Sequence, residues 1–360
     1  MDKLAKLSDA ERLEIFRQTS TKLNIPLAMV EKDFWVCWTL GRIFADAELS
    51  KILRFRGGTS LSKGYGLIDR FSEDIDITMD KSLVDLTDDN GKSLLRSKKS
   101  YKEHKEEVSD IAAQYIGTNL KDKIAKVLDG VVRIYTDEEY ARVNPNYEPK
   151  FIDNKSLHVV YPKVANDVYL RADIFLEIGI LSALTPNEPK EILPYVAKAY
   201  PKLEIAPAIV PTIKAKRTFW DKATILHREH YRPATKRDKE NGAELPSHTP
   251  ERYSRHYYDL YQMGHSAVKD DALGDFDLLQ EVIEHKNQFY PCGWGHTFDE
   301  CAGGELRLLP NENNRDLLAR DYKAMQSMIF GDTPEWADIL AFLGELETEI
   351  NKKGKKNGKK

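Results

Sequence analysis

The clearest pattern lies between positions 72 and 79, where polar and apolar side chains alternate. Asp74, Asp76 and Thr78 fall on one side of an extended chain and Ile75, Ile77 and Met79 on the other, the period-2 pattern of a half-buried strand. Upstream the period changes. Val30, Phe34, Cys37 and Phe44 recur near helical spacing and Pro26 suits a first turn, so residues 9–46 are predicted to be helical. A short strand from Ile52 to Phe55 then runs into Arg56-Gly57-Gly58-Thr59-Ser60, and Leu61 to Ile68 reads as helix again. The stretch from Asp88 to Asp129 is rich in Lys and Glu and carries apolar Ile111, Ala112, Tyr115 and Ile116. It is expected to be a helical excursion covering one side of a sheet. Further strands are predicted at 131–135, 157–161 and 168–180. The Pro-rich segment from Pro186 to Pro211 reads as a connection between domains, and from Thr212 onward the pattern is mostly helical, interrupted by a polar loop over Lys236 to Pro250. No internal repeat is visible.

A chain of 360 residues accommodates about two domains, because single cores stop growing near ~250 residues. The expected division is 1–200, 201–350 and a basic, disordered tail over 351–360. Hydrophobic content of 41% and charged content of 31% suit a soluble globular protein and argue against a disordered or fibrous one. There is no run of about 18 apolar residues, and the first residues lack the apolar centre of a secretory signal, so a cytoplasmic protein without a membrane partner is expected. Cys37, Cys292 and Cys301 are too few and too irregular for a disulfide framework and are read as thiols. With a net charge of −4, any attraction for nucleic acid has to come from a local basic groove. The one obvious basic cluster is the lysine-rich ending, which serves solubility or adds attraction for phosphate.

The chemistry concentrates at two places that follow one another in the chain. Asp74 and Asp76, two residues apart on one face of a strand, form a platform of hard oxygens suited to Mg²⁺ (or Mn²⁺). Upstream, Gly57, Gly58, Thr59 and Ser60 follow a strand and open a helix, where backbone N–H groups and hydroxyls would surround a phosphate, with Lys63 one turn further in adding positive charge. Each signal alone is weak, since Asp-x-Asp occurs in many surface loops and Gly-Gly is commonly just a turn. In order they are more specific. Strand, Gly-Gly-Thr-Ser, helix and then Arg70-Phe71-Ser72-Glu73-Asp74-Ile75-Asp76-Ile77 is similar to the signature of DNA polymerase β-like nucleotidyltransferases. Its long form resembles the AbiEii/MenT family of type IV toxin-antitoxin enzymes in particular. Val30-Glu31-Lys32-Asp33-Phe34-Trp35, Phe175 to Gly179, Leu306 to Pro310 and Asp321-Tyr322 also look like recurring segments of that family.

The resemblance implies an α+β fold, a polymerase β-like nucleotidyltransferase domain with a small mixed sheet followed by a mostly helical domain, with the active site in a cleft. It implies transfer of a nucleoside monophosphate from an NTP to an acceptor hydroxyl. The implied acceptor is the 3′ end of tRNA, whose extension blocks translation; a cognate antitoxin is the implied partner and phage defence the implied setting. The family's helical-domain lysine falls on Lys222 and its later aspartate on Asp259. Lys222 would hold nucleotide phosphates as a compact charge, and Asp259 would orient that lysine or accept a proton. Both would otherwise be read as ordinary solvated charges on amphipathic helices. For a third carboxylate, Asp173 and Glu177 share one face of their strand with Arg171, and Glu177 is preferred because it matches the family segment. Cys292, His296 and Cys301 bring zinc to mind, but neither a fourth ligand nor a C-x-x-C pair is present. Trp294 and Phe298 are expected to pack the helical domain, and Trp35 and Trp38 the core. Two rivals stand beside the transferase reading: a nucleotide- or RNA-binding module without catalysis, and a transferase that modifies a protein hydroxyl. The retained Asp74 and Asp76 argue against the first.

Overall fold

The computed structural model describes residues 1–145, 147, 155–165, 171, 173–237, 244–246, 251–291, 294 and 298–357. It divides into two compact units, one formed by Met1–Gly66 and Phe71–Lys214, the other by Leu67–Arg70 and Ala215–Lys360.

The first unit is built on a seven-stranded mixed sheet. Its strands are β1 (Leu53–Arg56), β2 (Ile75–Met79), β3 (Arg133–Thr136), β4 (Ser156–Val160), β5 (Asp173–Gly179), β6 (Asn187–Ile192) and β7 (Ala208–Ile213), in the spatial order β3-β4-β5-β2-β1-β7-β6. Strand β2 runs parallel to β5 and β1 parallel to β7, while the other neighbours are antiparallel. The alternation seen in the sequence decides which face is covered. Phe55, Ile75, Ile77, Leu157, Val159, Ile174 and Leu176 are all buried, and removing that much apolar surface from water drives the sheet against its helices. Those helices are α1 (Asp2–Ala5), α2 (Asp9–Leu23), α3 (Leu27–Ala45), α4 (Ala47–Ile52), α5 (Gly57–Lys63), α6 (Lys98–Glu103), α7 (Lys105–Tyr115), α8 (Lys121–Leu128), α9 (Asp137–Val143) and α10 (Tyr195–Ala199).

The helical stretch expected over 9–46 is two helices. Ser8 and Glu11 cap α2 reciprocally, and Asn24 ends it in the left-handed conformation at φ 53°, which asparagine tolerates better than most residues. The excursion after Asp88 becomes helical only from Lys98, because Asp88 accepts the N–H groups of Asn90 and Lys92 and turns the chain. The segment from Pro186 to Pro211 is not a linker. It supplies edge strand β6, α10 and β7; Pro189 lies in β6, where an edge position tolerates a missing N–H, opposite Pro211 of β7 in the ladder. Strand β5 is described from Asp173; positions 168–170 and 172 of the strand predicted over 168–180 lie outside the described residues.

The second unit is mainly helical, with α11 (Ala215–His230), α12 (Ser254–Gly264), α13 (Ala267–Leu273), α14 (Phe276–Phe289), α15 (Asp299–Ala302), α16 (Glu312–Met325) and α17 (Trp336–Asn357). Part of the polar loop expected over 236–250 pairs instead as a short antiparallel ladder, β8 (Thr235–Arg237) with β9 (Glu244–Pro246); 238–243 and 247–250 lie outside the described residues. Phe219, Trp220, Tyr257, Leu260 and Met263 form a fully buried centre, and Gly264 lets α17 approach, since a Cβ there would overlap the Phe342 ring. The lysine-rich ending is helical as far as Asn357 rather than disordered. Ile339, Leu343, Leu346 and Ile350 carry α17 into the core, and Gly354 packs against Gly304 with no room for a Cβ. Positions 358–360 lie outside the described residues, as do Cys292 and His296, while Cys301 is a buried thiol.

Candidate active site

Strand β1 ends at Arg56, and the chain turns at once into α5. Gly57 makes that turn at φ 75°, a backbone geometry that favours glycine, and a Cβ on it would overlap the carboxylate of Asp76. The two motifs are therefore in van der Waals contact, with Arg56 and Asp76 as register partners in the β1–β2 ladder. Thr59 is fully buried and donates its hydroxyl to the carbonyl of Asp74 at 2.5 Å, with Ser72 Oγ 2.8 Å away. Ser60, also fully buried, donates to the carbonyl of Gly57 at 2.8 Å. Both hydroxyls, expected to surround a phosphate, are instead committed to backbone and hold the loop against the start of β2.

Lys63 also has a different role from the expected one. Its ammonium is buried in an ion pair with Asp33 of α3 and lies 3.5 Å from the centroid of the Tyr195 ring. Burial would lower its pKa, but the charge of Asp33 outweighs that and holds it above the ordinary lysine range. Lys63 clamps α5 to α3 and is spent on that contact. The adjacent charges of α3 act in the same way. Glu31 accepts the backbone N–H groups of Val164 and Ala165 at 2.7 and 2.8 Å, Lys32 pairs with Glu73 at 2.7 Å, and Asp33 also accepts the N–H of Tyr195 at 2.6 Å. Sequence reading had no role for this trio, yet a signal was present: three consecutive charges within an otherwise apolar helix have to be buried and paired.

Asp74 and Asp76 are both half-buried. Among the described residues neither carboxylate makes a hydrogen bond or an ion pair. Burial, together with the neighbouring charges of Glu73 and Asp76, pushes Asp74 up to about 6, against the weaker pull of Lys32 and Arg171. Such a site fits a divalent cation: hard oxygen donors, partial desolvation and mutual repulsion that an added positive charge would relieve. Glu177 stands next to Asp76 in the parallel β2–β5 register and is exposed. Among the described residues, no group of three or more His, Cys, Asp or Glu side chains is disposed to hold a metal. Asp173, the alternative, is buried elsewhere in the same sheet, bonded to His158 at 2.7 Å and to Arg171 at 3.1 Å.

In the second unit Lys222 and Asp259 do meet. Lys222 Nζ lies 2.7 Å from Asp259 Oδ2, and Arg70 grips the same carboxylate with Nε at 2.7 Å and Nη2 at 2.8 Å. All three are buried. Burial alone would raise the pKa of Asp259, but Arg70 and Lys222 outweigh it and drive the carboxyl well below the usual carboxylate range. Burial lowers the pKa of Lys222, with Asp259 opposing and Arg70 adding to the effect. Asp321 seats this arrangement by accepting the N–H groups of Arg252 and Ser254, each at 2.8 Å, at the start of α12. The anchoring role of Arg70 was missed, although its place four residues before Asp74 in the chain marked it out.

Residues 38–342 match the family described as "Nucleotidyl transferase AbiEii toxin, Type IV TA system". The chain is also similar to the structure of the nucleotidyltransferase toxin MenT4 from Mycobacterium tuberculosis, at 15% identity and a TM-score of 0.40, over 97% of this chain and 98% of that one. No curated protein matches.

Proposed function

Since the chain belongs to the AbiEii nucleotidyltransferase toxins of type IV toxin-antitoxin systems, we propose that it moves a nucleoside monophosphate from an NTP to the 3′-terminal hydroxyl of tRNA and so blocks translation. The observation that carries this reading is the pair Asp74 and Asp76, half-buried, mutually repelling and seated against the glycine turn at Gly57. These two residues would hold Mg²⁺ or Mn²⁺, which when bound supplies charge neutralisation for an in-line displacement at phosphorus. The protein's own contribution is positional. Thr59 holds the backbone of Asp74, the α3 charges hold Glu73 and α5, and Arg70 with Asp259 holds the ammonium of Lys222 in one place, which we assign to the transfer step. A cognate antitoxin is the expected partner. No helix among the described residues is long and apolar enough to cross a membrane.

The test is incubation of the protein with each labelled NTP, Mg²⁺, and a mixture of total RNA and protein. Label in tRNA that is abolished when the 3′-terminal diol of the RNA is oxidised with periodate beforehand is the expected result. Label in polypeptide would replace the acceptor with a protein hydroxyl. No label in any polymer would overturn the transferase reading for this chain.

A further inference from the structure

The polar face of the sheet carries one more arrangement, which the metal pair does not use. Arg171 precedes β5, two residues before Asp173 and six before Glu177, and so belongs to the strand face that carries both carboxylates. Its Nε and Nη2 engage Asp173 at 3.4 and 3.1 Å. Nη2 also lies 3.3 Å from His158 Nδ1; among the described residues Nη1 makes no hydrogen bond, and 36% of the side chain is exposed. The guanidinium lies over Phe175, 4.8 Å from its centroid, and 5.8 Å from that of Tyr147. The backbone is held too, since Lys32 Nζ donates to the Arg171 carbonyl at 3.2 Å while pairing with Glu73, the neighbour of Asp74.

Behind this arginine stands a buried relay. Asp173 Oδ2 lies 2.7 Å from His158 Nδ1, and His158 Nε2 lies 2.6 Å from Asp137 Oδ1. Burial lowers the pKa of His158, but Asp137 and Asp173 at its two ring nitrogens outweigh that and hold it above the ordinary histidine range. Lys32 and Lys63 pair with Glu73 and Asp33, whereas Arg171, its Nε and Nη2 held by Asp173, leaves the N–H donors of Nη1 without a partner among the described residues and open to an added anion.

We propose that Arg171 binds the triphosphate of the incoming nucleotide, and that Asp173, His158 and Asp137 are positioning residues that fix its fork. This rests on the nucleotidyl-transfer reading. The test measures equilibrium binding of an α,β-methylene NTP and of pyrophosphate, each with Mg²⁺, to the full chain and to Arg171→Lys. The substituted lysine can still pair with Asp173 but presents no fork. Both ligands are expected to bind at least tenfold more weakly to the variant, with binding of the bare nucleoside and the thermal melt unchanged. A second measurement needs no variant: NTP and pyrophosphate should protect Arg171 of the wild-type protein from phenylglyoxal, read by mass spectrometry. Wild-type affinity in Arg171→Lys, or modification of Arg171 undiminished by saturating NTP, overturns the proposal while leaving transfer intact. A wild-type protein that binds no NTP fails the transfer reading itself, and this proposal with it.

Discussion

Asp74 and Asp259 are both desolvated aspartates, yet they titrate in opposite directions. Asp74 has anionic neighbours in Glu73 and Asp76 and is pushed up to about 6, while Asp259 is held by Arg70 and Lys222 and driven far down. Burial acts the same way on each; the partners decide the outcome. One site leaves negative charge to be met by something that binds. The other is complete within its own unit and serves to hold two cations still. Their acid behaviour differs accordingly. The depressed pKa of Asp259 means that its stabilisation is present above the unfolded carboxylate pKa and is lost only as pH falls through the lower folded value. The raised pKa of Asp74 means that ionisation costs the folded state, a cost that disappears as pH falls through about 6.

The largest effect should come from the complete site. Asp259→Ala leaves Arg70 and Lys222 buried without their shared anion and is expected to destabilise the second unit by about 3–5 kcal/mol, with transfer lost. Urea titration measures this, and a loss below ~1 kcal/mol would show that water reaches both cations. Lys63→Met comes next. It strands Asp33, which still accepts the N–H of Tyr195, so ~2–3 kcal/mol is expected, while NTP affinity stays within twofold. A large fall in affinity with the melt unchanged would return Lys63 to the phosphates. Asp74→Asn is the smallest in stability and opposite in sign. Transfer should fall at least ~100-fold, yet in EDTA at pH 8 the variant should melt about 2–4 °C above wild type, the shift for ~1 kcal/mol of relieved repulsion in a domain of this size. That gain should fade toward pH 5 as Asp74 of the wild type takes up its proton. A variant that melts lower at pH 8 would mean that the ionised carboxylate has a stabilising partner.

The alternation around Asp74 was legible because a strand with one covered face repeats every two residues, and the turn at Gly57 was legible because few residues accept its φ. Pro186 to Pro211 misled for a related reason. Proline reports a missing N–H, and both a linker and a sheet edge satisfy that condition. The lysines of the ending misled because their charge said nothing about the apolar stripe from Ile339 to Ile350 that pulls the helix into place.

By itself the sequence determined the glycine turn at Gly57 and the alternation that puts Asp74 and Asp76 on one face, for which local periodicity and covalent spacing suffice. Lys222, Asp259 and the nucleotidyltransferase type were expected from the resemblance to a known family. Only the tertiary structure decided how each charge is used. Lys63 and Lys32 went to buried carboxylates, Thr59 and Ser60 to backbone carbonyls, Arg70 to Asp259, and Arg171 to Asp173. The reason is physical. The role of an ionisable side chain is set by its desolvation and by the charges that surround it, and those neighbours come from strands and helices far apart in the chain, which no local pattern records.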